Sequence, residues 1–287
     1  LSLTDRKVLI NTLETDSADR LLSTTSVLDV KYYCNYVDVM VNNIKTKTLR
    51  TLRANNVVIA TGKFGPLNLP RSANIETSFR RIEVGVRIEQ PAGSFFLRNE
   101  ELLDPKYILK AGSDIEWRTF CCCRNGEVCD VEYDGFVSVS GRSDVAPTPR
   151  SNVGFLTRFK HPTPEVWEDF YESALVQKRS TSLEFSDWMI RKDDGMSRCI
   201  GPRIDAATRV GVSRLMEFFH RSEFRQATVV GPSIEGVGVY PRACGNLRAR
   251  SQSVWFAGDV CGRFRGIVAA MVSGYFVGLE IVRTRNE

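Results

Sequence analysis

Residues 254–270 read VWFAGDVCGRFRGIVAA, an apolar run followed by a glycine-punctuated loop and a series of small apolar residues. Its first three residues predict a short buried strand, Gly258-Asp259 predicts a turn, and the small apolar residues after Gly266 predict a helix. Glycine lets the main chain approach a ligand closely, and a helix N-terminus offers free N–H groups with a partial positive charge. The Asp259 carboxylate can accept hydrogen bonds from ligand hydroxyls. The stretch therefore predicts a cofactor site where a strand meets a helix.

A second motif lies far upstream in the chain. Residues 56–62 read NVVIATG, an unalternated apolar run typical of a buried parallel strand, followed by Ala60-Thr61-Gly62. In this order, the two motifs resemble those of the FAD-binding superfamily of the glutathione-reductase type. The resemblance implies an α/β fold built on an FAD/NAD(P)-binding (Rossmann-like) domain, with FAD as the cofactor.

The resemblance also implies which residues contact the cofactor. Asp259 would hold a ribityl hydroxyl, and the helix after it would point its N-terminus at the pyrimidine edge of the flavin. A strand near Val27 would pass the adenine with its main chain. Arg263 and Arg265 flank the predicted helix start, where a cation would stabilise the anionic reduced flavin. The expected cofactor-binding residues are Val27, Ala60, Thr61, Gly62, Gly258, Asp259, Gly262, Arg263, Arg265, Gly266 and Ile267.

Simpler interpretations exist for the same residues. Asp259 could be an ordinary turn aspartate, and either arginine could be an ordinary surface residue. Cys261 is expected to be a small packed residue rather than a reactive thiol. Glu235 and Tyr240 are acid–base candidates, and no catalytic residue is assigned.

The phosphate-cradling G-x-G-x-x-G that normally follows a first strand is not found in the sequence. Gly231, Gly236 and Gly238 stand in GPSIEGVG, which has the wrong spacing. In the resembled superfamily that loop opens the protein, and this chain begins at Leu1. We therefore expect a fragment that is incomplete at its N-terminus. The alternative is a protein that never binds a dinucleotide.

Three segments are expected along the chain. Residues 1–65 would form part of the FAD-binding domain, with a short strand at 7–11, an antiparallel meander, and the Ala-Thr-Gly strand. Residues 66–228 would form an inserted second domain, β-rich to Arg158 and helical afterwards, with a hairpin at Asn125-Gly126. Residues 229–287 would complete the FAD-binding domain.

Part of the insert resembles a group of poorly characterised FAD-dependent dehydrogenases. The likeness is carried by VGVRIE at 84–89 and by residues 119–128, TFCCCRNGEV. Those dehydrogenases usually have a proline near Arg124 and a bulkier residue where this chain has Cys122. No redox role is therefore carried over to the cysteines.

Composition narrows the class of protein. The 287 residues carry a mild net charge of +5, with no concentrated basic cluster. No uninterrupted apolar run reaches the length of a membrane span, so no membrane partner is expected. Eight cysteines in a chain of this length favour reduced thiols in the cytoplasm over a disulfide framework. The run at residues 121–123 is not expected to bind a metal, because adjacent strand residues face opposite ways.

These observations favour a dehydrogenase-like FAD-dependent oxidoreductase. It would transfer a hydride between FAD and an unidentified small-molecule substrate or a nicotinamide electron donor. The alternative is a flavin-dependent RNA-modification or nucleic-acid-binding protein, although a nucleic-acid partner is not favoured. In that alternative, exposed aromatics would stack on bases; the candidates are Phe95, Phe96, Trp117 and Trp188.

Overall fold

A computed structural model describes residues 3–69, 73–133, 135–142, 144, 146–250 and 253–285. The fold is mixed α/β. The helices are α1 (Leu3–Ser17), α2 (Pro164–Val176), α3 (Phe185–Met189), α4 (Gly195–Ile200), α5 (Pro202–Leu215) and α6 (Ile267–Arg285). The strands are β1 (Thr25–Tyr32), β2 (Val37–Asn43), β3 (Leu49–Ala54), β4 (Val57–Ile59), β5 (Thr77–Pro91), β6 (Ile108–Ala111), β7 (Ile115–Cys123), β8 (Glu127–Tyr133), β9 (Phe136–Arg142), β10 (Arg150–Phe159), β11 (Thr181–Glu184), β12 (Thr228–Pro241) and β13 (Val254–Phe256).

The chain divides into two compact units. The first comprises residues 1–60, 68–76 and 241–287, and the second comprises residues 61–67 and 77–240. The second unit therefore includes nearly all of β12, whereas the sequence assigned residues 229–287 to the first. The reason is hydrogen bonding, since β12 lies beside β11 and β5 in the sheet of the second unit.

The first unit contains the expected antiparallel meander. The order is β1-β2-β3, and Val27 lies opposite Val41. Val30 and Val37 are buried on one face of this sheet, while much of the other face is exposed. Alternation of apolar and polar residues predicted this arrangement, because successive strand residues face opposite sides.

The strand predicted at residues 7–11 is wrong. These residues lie inside α1, where Val8 and Ile10 are exposed. A three-residue apolar run cannot distinguish a strand from a helix by periodicity. Asp5 in the first turn of α1 favours the helix by its interaction with the helix dipole.

A six-stranded sheet forms the second unit, in the order β11-β12-β5-β10-β7-β6. One face of β5 is apolar, with Val84, Val86 and Ile88 fully buried in the main core. Helix α5 packs against this sheet, as Trp117 Nε1 donates to the Ala207 carbonyl at 2.9 Å. The insert is β-rich and then helical, but β11 and β12 return to the sheet among and after the helices.

The turn at Asn125-Gly126 joins two sheets rather than two strands of one hairpin. Asn125 has φ +50°, but Gly126 lacks the positive φ that an Asn-Gly hairpin turn also requires, and β8 pairs with β9 while β7 pairs with β10 and β6. The hairpin expected there is therefore wrong. Long-range pairing with β10 determined the partner of β7.

Helix α6 is long and apolar. Its segment Ile267–Thr284 has a mean hydropathy of 1.5 and is only 11% buried, so by length and composition it could cross a membrane. The sequence has no uninterrupted apolar run of this length, and the helix qualifies because it is apolar on average. One such helix is weak evidence for a span, and the lack of a membrane partner stays a prediction.

Candidate functional site

Parallel pairing of two short strands brings the two sequence motifs together. Val57 lies opposite Val254 and Ile59 opposite Phe256, and the Ala257 N–H donates to the Ile59 carbonyl at 3.0 Å. The carboxyl ends of parallel strands lie at the same edge of a sheet, which is where α/β proteins bind ligands. Ala60 and the Gly258-Asp259 turn therefore follow neighbouring strand ends.

The Gly-Asp turn has a backbone that demands glycine. Residues Gly258–Cys261 form one turn of 3₁₀ helix, with φ +72° at Gly258 and +66° at Gly262. The Gly262 N–H closes the turn on the Asp259 carbonyl at 2.8 Å. Residues other than glycine rarely adopt these left-handed backbone angles. The two glycines are thus explained by the turn, whatever ligand approaches it.

Ser273 on α6 holds this turn in place. Its Oγ accepts the Gly258 N–H at 2.7 Å and donates to the Ala270 carbonyl at 2.7 Å. Ser273 is almost fully buried, at 1% exposure. Sequence reasoning missed this residue, because a serine in an apolar helix gives no sign of its partner.

We expect Ser273→Ala to lower the free energy of unfolding by about 1–3 kcal/mol, because it leaves the buried Gly258 N–H without its acceptor. Thr284→Ala on the same helix is the control. Thr284 is exposed and bonds only its own helix backbone, so its loss should change stability by less than about 0.5 kcal/mol. Thermal unfolding of both variants measures the difference, and equal losses would refute the role given to Ser273.

Asp259 retains access to solvent. Its carboxylate is 19% exposed, and Arg265 Nε lies 4.0 Å from Oδ2. A carboxylate of this kind can accept hydrogen bonds from ligand hydroxyls while the arginine balances its charge. Arg263 is exposed nearby in sequence, on the loop before α6.

The N-terminus of α6 is open to solvent. Gly266 has φ +87°, and a Cβ built there would meet no atom within 4 Å. The first intrahelical bond runs from the Ala270 N–H to the Gly266 carbonyl at 3.0 Å. The N–H groups of the preceding helical residues have no intrahelical acceptor, and they carry the positive end of the helix dipole. Ile267 at this end is exposed.

The arrangement fits the flavin end of FAD. It combines a carboxylate that can accept from hydroxyls, helix N–H groups that can donate, and a cation beside them. The residues that the structure places in the first unit near this edge are Ala60, Gly258, Asp259, Gly262, Arg263, Arg265, Gly266 and Ile267. Thr61 and Gly62 are grouped with the second unit, and Val27 lies in β1 on the separate three-stranded sheet.

A buried charged cluster in the second unit was not anticipated. Glu83 on β5 is fully buried, and three arginines contact its carboxylate: Arg81 at 3.5 Å, Arg158 at 3.0 Å, and Arg118. Arg158 also pairs with Glu116 at 3.0 Å. Polar residues alternate with valines along β5, a signal that marks a polar sheet face but not its burial. The cluster makes this face of the sheet rich in arginine.

The acid–base candidates differ in their surroundings. Tyr240 is buried, and its hydroxyl accepts the Val237 N–H at 3.0 Å, which is a structural role. Glu235 lies 3.4 Å from Lys63 Nζ, and the same ammonium donates to the Ile234 carbonyl at 2.6 Å. Only Glu235 therefore keeps the partial exposure that proton transfer with a ligand requires.

Burial also determines which roles are open to the other residues that the sequence singled out. Phe95, Phe96, Trp117 and Trp188 are all buried, so none can stack on a nucleic-acid base. Cys261 packs in the core of the first unit, as expected. Among the described residues, no group of three His, Cys, Asp or Glu side chains could hold a metal ion.

No protein-family profile matches the sequence, and no curated protein matches it. Among solved structures, the chain is similar to the glycerol-3-phosphate dehydrogenase from Bacillus halodurans complexed with FAD, with 12% identity and a TM-score of 0.36, covering 90% of this chain and 38% of that one. It is similar to the rebeccamycin biosynthetic enzyme RebC with reduced flavin, with 12% identity and a TM-score of 0.34, over 88% and 34% of the two chains. It is also similar to p-nitrophenol 4-monooxygenase PnpA from Pseudomonas putida DLL-E4, with 10% identity and a TM-score of 0.30, over 88% and 46%. The chain therefore spans less than half the length of these enzymes, and its structural similarity to them is distant and partial.

Proposed function

We propose that this protein is an FAD-dependent, dehydrogenase-like oxidoreductase that transfers a hydride between FAD and a small molecule. One observation supports this above the others. Two motifs far apart in the sequence lie side by side at the carboxyl ends of parallel strands β4 and β13, immediately before an open helix N-terminus. Bound FAD would supply the hydride-accepting ring.

The residues of the chain have separate roles in this proposal. The Asp259 carboxylate would bind a ribityl hydroxyl. The first N–H groups of α6 would face the flavin and would stabilise negative charge on it. Arg265 adds a positive charge to the same site while it balances Asp259. We assign no binding residue to the substrate, or to a nicotinamide that would take its place as the electron donor.

The first test is FAD retention by Asp259→Ala in the full-length protein purified from cells. Loss of a hydrogen bond to a charged group costs about 1.5–3 kcal/mol, so FAD should bind roughly 10- to 150-fold more weakly. The visible spectrum measures bound flavin, and titration with added FAD measures the dissociation constant. Asp19→Ala serves as the control, since Asp19 is exposed beside Arg20 at a distance from both motifs in the sequence.

Two results would refute the proposal. A colourless wild-type protein that does not bind added FAD would exclude a flavoenzyme. Equal FAD affinity of Asp259→Ala and Asp19→Ala would remove the aspartate from the site. The RNA-modification alternative is not carried forward, because the four aromatic residues expected to stack on bases are buried.

A further inference from the structure

Two cysteines at the end of β7 lie close enough to react with each other. Cys121 Sγ and Cys123 Sγ are 3.9 Å apart. Cys121 is exposed, and Cys123 is buried at 4% exposure. An external reagent can therefore reach the first sulfur more readily than the second.

A β-bulge produces this proximity. Cys123 lies opposite Asn152, and Phe120 lies opposite Gly154. Two residues of β7, Cys121 and Cys122, therefore lie opposite a single residue of β10. Cys121 has φ +49°, in the left-handed region. In a regular strand, residues two apart lie about 6.6 Å apart, close to the upper limit of about 6.8 Å for the Cα atoms of a disulfide. A bulge bends the strand and redirects its side chains.

A buried arginine lies beneath the pair. Arg87 is 1% exposed, and its Nε donates to Asn152 Oδ1 at 2.8 Å. Its Nη2 donates to the Cys121 carbonyl at 2.6 Å and lies 3.8 Å from Cys123 Sγ. Gly141 on β9 covers the arginine so closely that a Cβ there would collide with Arg87 and Cys123. The guanidinium is thus fixed beside the Cys123 sulfur and the Cys121 carbonyl.

The surroundings make the four neighbouring cysteines unequal. The Cys123 thiol and the Arg87 guanidinium stabilise the Cys121 thiolate and lower its pKa to about 6, although burial and Asp104 oppose them. Burial raises the pKa of Cys122 and of Cys129 above the ordinary value. Near neutral pH, Cys121 is therefore the nucleophile of this group.

We propose that Cys121 and Cys123 form a dithiol site that a low-molecular-weight disulfide oxidises reversibly to an intramolecular disulfide. The Cys121 thiolate attacks the external disulfide, a mixed disulfide forms, and one thiolate leaves. The Cys123 thiol gives up its proton to solvent and attacks the Cys121 sulfur, which expels the second external thiolate. The two cysteines lose two electrons, and the external disulfide gains them as it becomes two thiols. The oxidation of this site requires no flavin. The proposal for the two cysteines is therefore independent of the function proposed above.

The test equilibrates the full chain with glutathione and glutathione disulfide, followed by alkylation and mass spectrometry. Wild type should form the Cys121–Cys123 disulfide, and Cys123→Ser should accumulate glutathione on Cys121. Cys121→Ser should leave Cys123 unmodified. Cys122→Ser is the matched control, which should form the disulfide as wild type does. A wild-type chain without this disulfide at any glutathione ratio would overturn the proposal, as would an unmodified Cys121 in Cys123→Ser.

A second measurement needs no variant. Cys34 and Cys244 are also exposed, and they serve as internal references for alkylation of the native protein. At pH 6.5, Cys121 should react faster than either, because the Cys123 thiol and the Arg87 guanidinium lower its pKa to about 6 and leave it largely as the reactive thiolate. Its rate should level off above pH 7. Equal rates for the three cysteines would overturn the assignment of Cys121 as the nucleophile.

Discussion

Asp205→Ala should lower the free energy of unfolding by about 3–5 kcal/mol, because it leaves a buried cation without its partner. Asp205 on α5 is fully buried and pairs with Arg209, which is also buried. The carboxylate additionally accepts from Trp188 Nε1 at 2.8 Å and from the Ser197 hydroxyl. One side chain thus connects α3, α4 and α5. Urea unfolding followed by tryptophan fluorescence measures the loss.

Two further variants identify the cause of that loss. Asp187→Ala removes a carboxylate whose pairing with Lys192 at 3.3 Å is largely exposed, and it should cost no more than about 1 kcal/mol. The double variant Asp205→Leu with Arg209→Met removes both charges and should recover part of the lost stability. If Asp205→Ala cost no more than Asp187→Ala, the buried network would not stabilise the helices.

Glu83→Gln should have the second largest effect, a loss of about 2–3 kcal/mol in the free energy of unfolding. The substitution keeps the shape of the side chain but removes the charge that faces three arginines. The expected loss is below that of a fully buried pair, because these arginines are 21–28% exposed and remain partly hydrated. Chemical unfolding gives the value.

Glu89→Gln is the matched control for this prediction. Glu89 lies on the same strand and contacts Arg150 at 2.8 Å, but this arginine is 40% exposed. The control should lose about 1 kcal/mol or less. A loss in Glu83→Gln no greater than in Glu89→Gln would contradict the view that the arginines of the sheet face depend on Glu83.

The elements that the sequence predicted well are those with a local signature. The meander alternates apolar and polar residues over much of its length, and the run before Ala60 is apolar throughout, so both were recognised as strands. The Gly-Asp turn was also recognisable, because its glycines and the small-residue helix after it are contiguous. The distant partner of each strand was not predicted. Periodicity carries no information about partners, so only the structure shows that β4 pairs with β13.

The burial of charged residues could not be predicted from the sequence. Asp205 and Arg209 are four residues apart, a spacing that usually indicates an exposed helix pair. Glu83 alternates with valines in the way a solvent-facing strand residue does. In both cases a further partner comes from another element, Trp188 for Asp205 and Arg158 for Glu83. Only the tertiary structure therefore shows that water is excluded. The same holds for Cys121 and Cys123, whose approach depends on a bulge opposite β10.

The pairing of β4 with β13 has a consequence for how the chain acquires its structure. Trp255 Nε1 bonds Asn56 Oδ1 at 2.9 Å across 199 positions of sequence. A contact between residues so far apart in sequence requires closure of a long loop. The closure lowers the conformational entropy of the chain, so the contact forms late. Residues 61–240, by contrast, contain the whole second unit almost without interruption. During synthesis this middle segment can fold first and shorten the effective loop, after which the C-terminal residues complete the first unit as they emerge.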